Sequence, residues 1–249
     1  MTTLDLITSG PSAPADLEMA CSEALLRAVA AGRRPATLRI LRPATTVAFG
    51  RLDALRPGFA AAVERARGHG FEPVVRVAGG HAAAYDPGSL VVEEVTPQAG
   101  AVTGLRDRFD DAAAVLLEAL LGLGLDARVG RLDGEYCPGA HSLNVGGRLK
   151  VAGIAQRVVK GAALTSAVVT VGSGAVVRRV VADVYDALGI AIDPAVTGAL
   201  QDVAPAVEPG TVQDAVLAAY ARRAGLRPVA MDAELLAAAE ALRGRHAVA

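Results

Sequence analysis

Residues 136–161 read YCPGAHSLNVGGRLKVAGIAQRVVKG, and the fold is read outward from them. In residues 150–159, KVAGIAQRVV, apolar and polar side chains roughly alternate, the period of a half-buried strand. Gly146–Gly147 reads as the turn of a hairpin that pairs HSLNV, residues 141–145, with residues 149–159. Two side chains here are suited to covalent chemistry. Cys137 sits on a turn-prone Cys-Pro-Gly, and Lys150 opens the long strand. A thiolate attacks carbonyls well, and a nearby ammonium favours the thiolate, so a thiol loop beside a lysine-bearing strand suits acyl transfer. Taken singly, each residue has a plainer reading: a cysteine as a small buried apolar group, a lysine as a solvated charge. The glycines of GGRLK and AGIA tilt the balance, because a glycine in a strand gives up packing and marks a bulge or a close backbone approach.

Upstream, residues 1–15 read as an irregular arm ending in Ser-Gly-Pro-Ser-Ala-Pro. A helix follows from about Asp16, a good N-cap, to Ala31 before Gly32. Leu17, Cys21, Ala24, Leu25 and Ala28 share one of its faces, which makes Cys21 a core residue and not a second reactive thiol. TLRILRP (37–43) and TTVAFGR (45–51) read as short strands around Pro43. Residues 57–70 read as a helix with Pro57 in its first turn and Gly70 as its stop. Residues 73–95 read as strand, glycine-bearing loop, strand, and residues 105–123 as a helix. Downstream come a strand at 163–171, a helix from Ser173 or Gly174, and two amphipathic helices at 211–225 and 232–246. Strands come early and helices late, an α+β or α/β order and not a pure βαβ series.

Composition narrows the function. The chain has 249 residues, enough for one sizeable domain or a domain with a small appendage. It is 52% apolar, largely Ala and Val, with 3% aromatic residues and no Trp. A core of such small side chains needs close helix–sheet packing. The formal net charge of −1 gives no field to draw nucleic acid or an anionic membrane, and stacking platforms for single strands are missing. Two cysteines make neither a secreted disulfide framework nor a cysteine-rich zinc site. The N-terminal residues lack a basic region followed by an apolar signal core, and no apolar run is long enough to span a bilayer, so the expectation is a soluble cytoplasmic protein.

A second constellation lies at Arg76-Val-Ala-Gly79-Gly80-His81-Ala82-Ala-Ala-Tyr85-Asp86. Paired glycines let a backbone approach a ligand, exposed N–H groups can cradle an anion or a carbonyl, and Arg76 adds a cation. The alternative is an ordinary tight turn with an exposed arginine. The loop lacks the Gly-Lys-Ser/Thr of a Walker motif and the glycine spacing of a dinucleotide fingerprint. His81 lies inside this loop and His141 lies four residues from Cys137, so the two are rival acid–base candidates. No histidine has partners at metal-ligand spacing, and no metal is expected.

In combination, the two constellations resemble the biotin/lipoate protein ligase superfamily, and within it the lipoyl/octanoyl transferases. The family's glycine loop, roughly Arg-x-x-Gly-Gly-Gly-Ala-x-x-His-Asp, is matched by Arg76, Gly79, Gly80, Ala82 and Asp86. Its second motif, Gly-Arg-Lys-x-x-Gly-x-Ala-Gln, is matched by Gly147, Arg148, Lys150, Gly153, Ala155 and Gln156, with Leu149 as one extra residue. The resemblance covers roughly residues 15–190. His81 replaces the third glycine, Tyr85 the usual histidine, and Thr165-Ser166-Ala167 stands near where relatives carry His-Gly.

The resemblance implies an α+β fold, a mixed or antiparallel sheet packed with helices, of the kind shared with class II aminoacyl-tRNA synthetases. It implies a catalytic domain over residues 1–225 and a C-terminal helical extension over 226–249. It implies catalysis by Cys137 and Lys150, with Cys137 carrying the acyl group as a thioester. Lys150, as an ammonium, would favour the thiolate and hydrogen-bond the carbonyl. Substrate binding is carried over to Arg76, Gly79, Gly80, His81, Ala82, Tyr85, Gly147, Gly153 and Ala155. Ala82, Ala83 and Ala155 are expected along an apolar tunnel, and the amides near Gly79, Gly80 and Gly153 at the carbonyl. The implied partners are an octanoylated or lipoylated carrier as donor and a lipoyl-domain protein as acceptor, in lipoate synthesis or protein lipoylation, with no cofactor required. Two other readings stay open: an ATP-dependent lipoate ligase using ATP and Mg, with Cys137 incidental, and a non-catalytic acyl binder.

Overall fold

The computed structural model describes residues 2–9, 14–98 and 104–248. The hairpin read from the sequence is present: β8 (Leu143–Val145) turns at Gly146–Gly147 into β9 (Leu149–Val159). Both glycines have φ near +65°, which is why the turn uses them. β9 continues through a second tight turn at Lys160 into β10 (Gly161–Thr170), which pairs antiparallel with β6 (Ser89–Gln98). Around these lies an eight-stranded mixed sheet. Its remaining strands are β1 (Thr3–Ser9), β2 (Thr37–Leu41), β7 (Ala127–Val129) and β11 (Gly225–Pro228), and its order is β11-β1-β2-β6-β10-β9-β8-β7. A three-stranded sheet, β4-β3-β5, is made from β3 (Thr46–Phe49), β4 (Glu72–Val75) and β5 (Ala83–Tyr85). The two strands expected around Pro43 thus enter different sheets. This is the α+β architecture the resemblance implied.

Residue alternation sorts the large sheet's faces. Leu38, Ile40, Leu90, Val92, Ala167 and Val169 pack in the core that holds α3 (Leu105–Gly122) and α5 (Pro209–Ala221). Their neighbours in sequence turn the other way. Val95, Ala162 and Leu164 pack with α1 (Ala15–Ala30) and α6 (Ala233–Leu242), while Val91, Glu93, Ser166 and Val168 line a cavity on that same face. The small sheet has its own core with α2 (Phe59–Gly68) and α4 (Gly174–Ala187). Cys21 is buried on α1, as its helical spacing required. No helix among the described residues is long and apolar enough to cross a membrane.

Three local expectations change. The N-terminal arm is a strand over Thr3–Ser9, held parallel between β2 and β11. Leu4 and Ile7 enter opposite cores from it, so pairing on both edges outweighs the turn-rich residues that follow. Residues 10–13 of that expected arm lie outside the described residues. Helix α1 is not capped by Asp16: Pro14 holds the cap position, and the Glu72 carboxylate of β4 accepts from the Ala15 N–H at 3.1 Å. The expected division at 225/226 runs through β11, and α6 lies against α1. Beyond it, the His246 ring is held between the Val75 carbonyl (2.8 Å) and Glu23 (2.9 Å).

Candidate active site

Cys137 closes a tight loop between β7 and β8. Its φ is +40°, a left-handed conformation that costs a non-glycine residue about 1–2 kcal/mol. The loop pins it from several sides. The Cys137 N–H donates to the Tyr185 hydroxyl of α4 at 2.8 Å, and that hydroxyl donates to the Ala82 carbonyl at 2.8 Å. Lys150 Nζ donates to the carbonyls of Tyr136 (2.7 Å) and Cys137 (2.9 Å) and to Glu135 Oε1 (3.2 Å). Glu135, buried, is the hub of the loop: Oε1 also accepts from the Gly139 N–H and the Ser142 hydroxyl, and Oε2 from the Leu132 N–H.

Lys150 reaches this loop because of a β-bulge. Asn144 pairs with Lys150 and Leu143 with Ala152, so Val151 is the extra residue. Without it, strict alternation would put Lys150 on the face opposite Gly153 and Ala155. With it, all three line the cavity, together with Ser166 and Val168, the β10 partners of Ala155 and Gly153. Lys150 is 1% exposed, and its Nζ also lies 4.5 Å from the Tyr136 ring centroid. Burial pulls its pKa below the ordinary lysine range, against the opposing pull of Glu135 and Cys137.

The cation that touches the sulfur is Arg76, with Nη2 3.3 Å from Cys137 Sγ. Burial pulls the Arg76 pKa down, and the charge and hydrogen bond of Cys137 more than offset that. Arg76 Nε is buried without a hydrogen-bond partner among the described residues, a donor left over in the cavity wall. Gly80 makes this closeness possible, since a Cβ there would stand 2.5 Å from Arg76 Nη2 and 2.8 Å from Cys137 Sγ. Cys137 lines two spaces at once. The inner cavity runs between α1, β6, β9 and β10, walled by Met19, Tyr85, Val91, Ala83 and Leu164 among others. The outer cleft opens past Gly79, Gly80, Phe109 and His141.

The sequence model of the lipoyl protein ligase A/B catalytic domain matches residues 14–221. The chain belongs to the lipoyl protein ligase A/B family. Within the curated proteins it is 32% identical over 178 residues to the octanoyl-[GcvH]:protein N-octanoyltransferase of Geobacillus kaustophilus (strain HTA426), covering 71% of this chain and 62% of that one. It is 35% identical over 144 residues to the enzyme of the same name from Exiguobacterium sibiricum, covering 57% and 52% respectively. The matches thus span less than two thirds of either relative. Among solved structures, lipoate-protein ligase A bound with ATP superposes with a TM-score of 0.77 at 20% identity, covering 98% of this chain and 95% of that one. A bi-partite lipoate protein ligase from Thermoplasma acidophilum does so at 0.76 and 18%, covering 98% and 93%. At such identities these two establish the shared fold.

Set against this lipoyl ligase A/B member's expected site, the inner cavity gathers Arg76, Ala83, Tyr85, Cys137, Lys150, Gly153 and Ala155. Burial pushes the Tyr85 hydroxyl far above its ordinary pKa, so it stands as a neutral phenol. Other expected residues fall elsewhere. Ala82 faces the core of the small sheet and α4, since alternation on β5 turns Ala83 inward in its place. Gly147 is an exposed turn residue outside both spaces, where an added Cβ would stand 3.0 Å from Arg128 Nη1. His81 faces a pocket that adjoins the outer cleft at Gly79, Gly80 and Leu105 and holds Arg51 and Arg157, with its Nδ1 2.7 Å from buried Asp53. The Gly79 N–H is spent on the Gln156 carbonyl (3.1 Å), so it is not free for a substrate carbonyl. His141 lines the outer cleft, stacked on Phe109 (5.0 Å) and 2.8 Å from Asp110. Sequence reasoning passed over Glu135 and Tyr185. A carboxylate directly before Tyr136-Cys137 was a signal for the first; nothing local marks the second, which lies 48 residues away. Among the described residues no group of three or more His, Cys, Asp or Glu is arranged to hold a metal ion.

Proposed function

We propose that this chain transfers an octanoyl group, through a thioester on Cys137, from an acylated carrier of the GcvH type to a lysine of a second protein. The observation that carries the reading is the position of Cys137: one sulfur borders both spaces, with a guanidinium against it. The curated relatives' name, which couples octanoyl-[GcvH] to a protein acceptor, supports the choice of acyl group and partners.

In the first half-reaction the Cys137 thiolate, held by Arg76, attacks the donor's acyl carbonyl. The S–C bond forms, the C–N bond to the donor lysine breaks, and the leaving amine takes a proton from His141, which the second half-reaction returns. In the second, an acceptor lysine amine attacks the thioester. The N–C bond forms, the C–S bond breaks and the thiolate returns. The acyl chain lies in the inner cavity, and the donor and acceptor groups come and go through the outer cleft. Arg76 Nε and Nη2 offer donors to the carbonyl oxygen as it gains charge. Lys150 acts by fixing the carbonyls of residues 136 and 137, which sets the sulfur's aim. His141, held by Asp110 in the cleft it shares with Cys137, carries the proton that leaves the incoming amine. No nucleotide is needed on this route.

Intact-protein mass spectrometry after mixing with octanoylated GcvH tests the reading. The wild type and Cys21→Ser gain an octanoyl adduct and pass it to a lipoyl domain without ATP, while Cys137→Ser does neither. Full transfer by Cys137→Ser, or activity strictly dependent on ATP, overturns it in favour of the ligase. Acyl binding with no adduct and no transfer leaves only a binder.

A further inference from the structure

Three of the exposed large apolar side chains line the cleft at Cys137 or the pocket that adjoins it. Among the described residues the exposed set is Leu52, Leu55, Leu105, Leu121, Val129 and Leu236, and the two barest are Leu55 at 79% and Leu52 at 71%. Leu52 and Leu105 line the pocket that runs along Gly79–Gly80, and Leu105 and Val129 line the outer cleft at Cys137. Leu55 shares the 3-10 turn of Leu52. Single exposed apolar side chains are ordinary, whereas three along two adjoining pockets, with Leu55 on the same turn as one of them, mark an interaction surface.

The turn that carries Leu52 and Leu55 is rigidly mounted. Asp53, fully buried between them, accepts from the Gly50 N–H (2.9 Å) and lies 2.7 Å from His81 Nδ1. Gly50 has no room for a side chain, since a Cβ there would fall 1.9 Å from the Gly80 carbonyl oxygen. The same Gly80 stands against Cys137 Sγ and Arg76. The leucine turn is therefore locked onto the loop that packs against the nucleophile. Its apolar side chains point away from the core, and presenting them costs little further ordering on binding. Cations flank them. Arg51 is exposed and shares its pocket with Arg157, and Arg106 on the cleft rim is 88% exposed, 3.7 Å from Asp110. On a chain with net charge −1, the rim is locally positive.

Resting on the transfer reading above, we infer that the turn Arg51–Leu55 is the docking surface for the acyl-carrying protein. It would receive a face that presents acidic residues around a small apolar patch beside the modified lysine. Two features select this occupant over a second copy of the chain. The substrate acyl group is attached to a protein whose lysine must reach Cys137, so that protein's surface has to meet the cleft rim. The rim's arginines complement an acidic partner and repel another copy of themselves.

The test compares two octanoyl donors on wild type, Leu52→Asp with Leu55→Asp, and Arg51→Glu. With the small thioester S-octanoyl-N-acetylcysteamine, Cys137 acylates at the wild-type rate in all three. With octanoylated GcvH, kcat/KM falls about tenfold or more in each variant, mostly through KM, and Arg51→Glu also flattens its dependence on salt. Binding of unmodified GcvH, followed by calorimetry, falls in parallel and needs no chemistry. Unchanged carrier kinetics and binding in variants that retain their thermal stability overturn the inference. So does conversion of a dimer to a monomer with carrier kinetics intact, which would assign the face to self-association. If no donor acylates the wild type, the transfer reading fails; loss of GcvH binding in the variants would then still support the docking surface, and its retention would sink it.

Discussion

Arg76 Nη2 and Cys137 Sγ stand 3.3 Å apart, and this contact makes the arginine, not the lysine, the cation at the sulfur. Lys150 directs its three donors to Glu135 and to the backbone of the sulfur's own loop. On the transfer reading proposed above, the chemistry that the motif assigns to one side chain is divided between two.

Arg76→Met is expected to slow acylation of Cys137. A hydrogen bond to a charged group contributes about 1.5–3 kcal/mol, which corresponds to roughly 10- to 100-fold in rate. Arg76→Lys recovers part of this, since an ammonium keeps the charge without the planar fork. Iodoacetamide alkylation at fixed pH reads the sulfur directly. Equal alkylation and acylation rates in Arg76→Met would exclude the contact as functional.

Lys150→Met should lower acylation turnover far more than donor affinity, because the lysine's donors are spent on Glu135 and on the sulfur's own loop and so aim the sulfur. Glu135→Gln should destabilise the fold by about 3–5 kcal/mol, since it leaves the buried ammonium uncompensated. Combining the two should cost less stability than the sum of the single changes, while activity stays low. Urea denaturation of the four proteins measures the coupling; strict additivity would show that the pair is not coupled.

Gly80→Ala and Gly79→Ala should differ sharply although the residues are neighbours. At Gly80, φ is +91° and the added carbon would push on both Arg76 Nη2 and Cys137 Sγ. At Gly79 the nearest atom would be 3.7 Å away, ordinary contact. Transfer activity is expected to drop about 100-fold in the first, as misplacement of reacting groups does, and to stay near wild type in the second. Similar activities would remove the close approach from the account.

Glu18, buried on α1, has its carboxyl pushed up from 4.5 to about 7, chiefly by burial and against the Ala44 N–H that it accepts from. The folded state therefore holds a proton that the unfolded state has released between about pH 4.5 and 7. The stability this group contributes is fully present below 4.5 and is lost as pH rises through 7. Glu18→Gln keeps the acceptor and removes the titration. Its melting temperature should exceed that of the wild type at pH 8, and the gap should close at pH 5. A constant gap at both pH values would show that Glu18 does not titrate in this window.

Much of the molecule is legible in the chain itself. The helices at 59–68, 105–122 and 174–187 follow from apolar spacing with Pro or Gly punctuation, and the β8–β9 hairpin follows from Gly146–Gly147, because these signals act within a few residues. The glycine loop and the Cys137 loop announced chemistry through residues that give up packing, and the structure brings Arg76, Cys137 and Lys150 to one cavity.

Other facts needed the folded chain. β1 is a strand only because β2 and β11, the latter more than 200 residues away, pair with both its edges. The side on which Lys150 emerges was decided by one bulged residue, Val151, which alternation alone could not reveal. Which cation meets the sulfur was decided by distance between a loop at residue 76 and one at residue 137. Local sequence sets backbone preference over a few residues, whereas the pairing of charges and the aim of side chains depend on through-space contacts that only tertiary packing fixes.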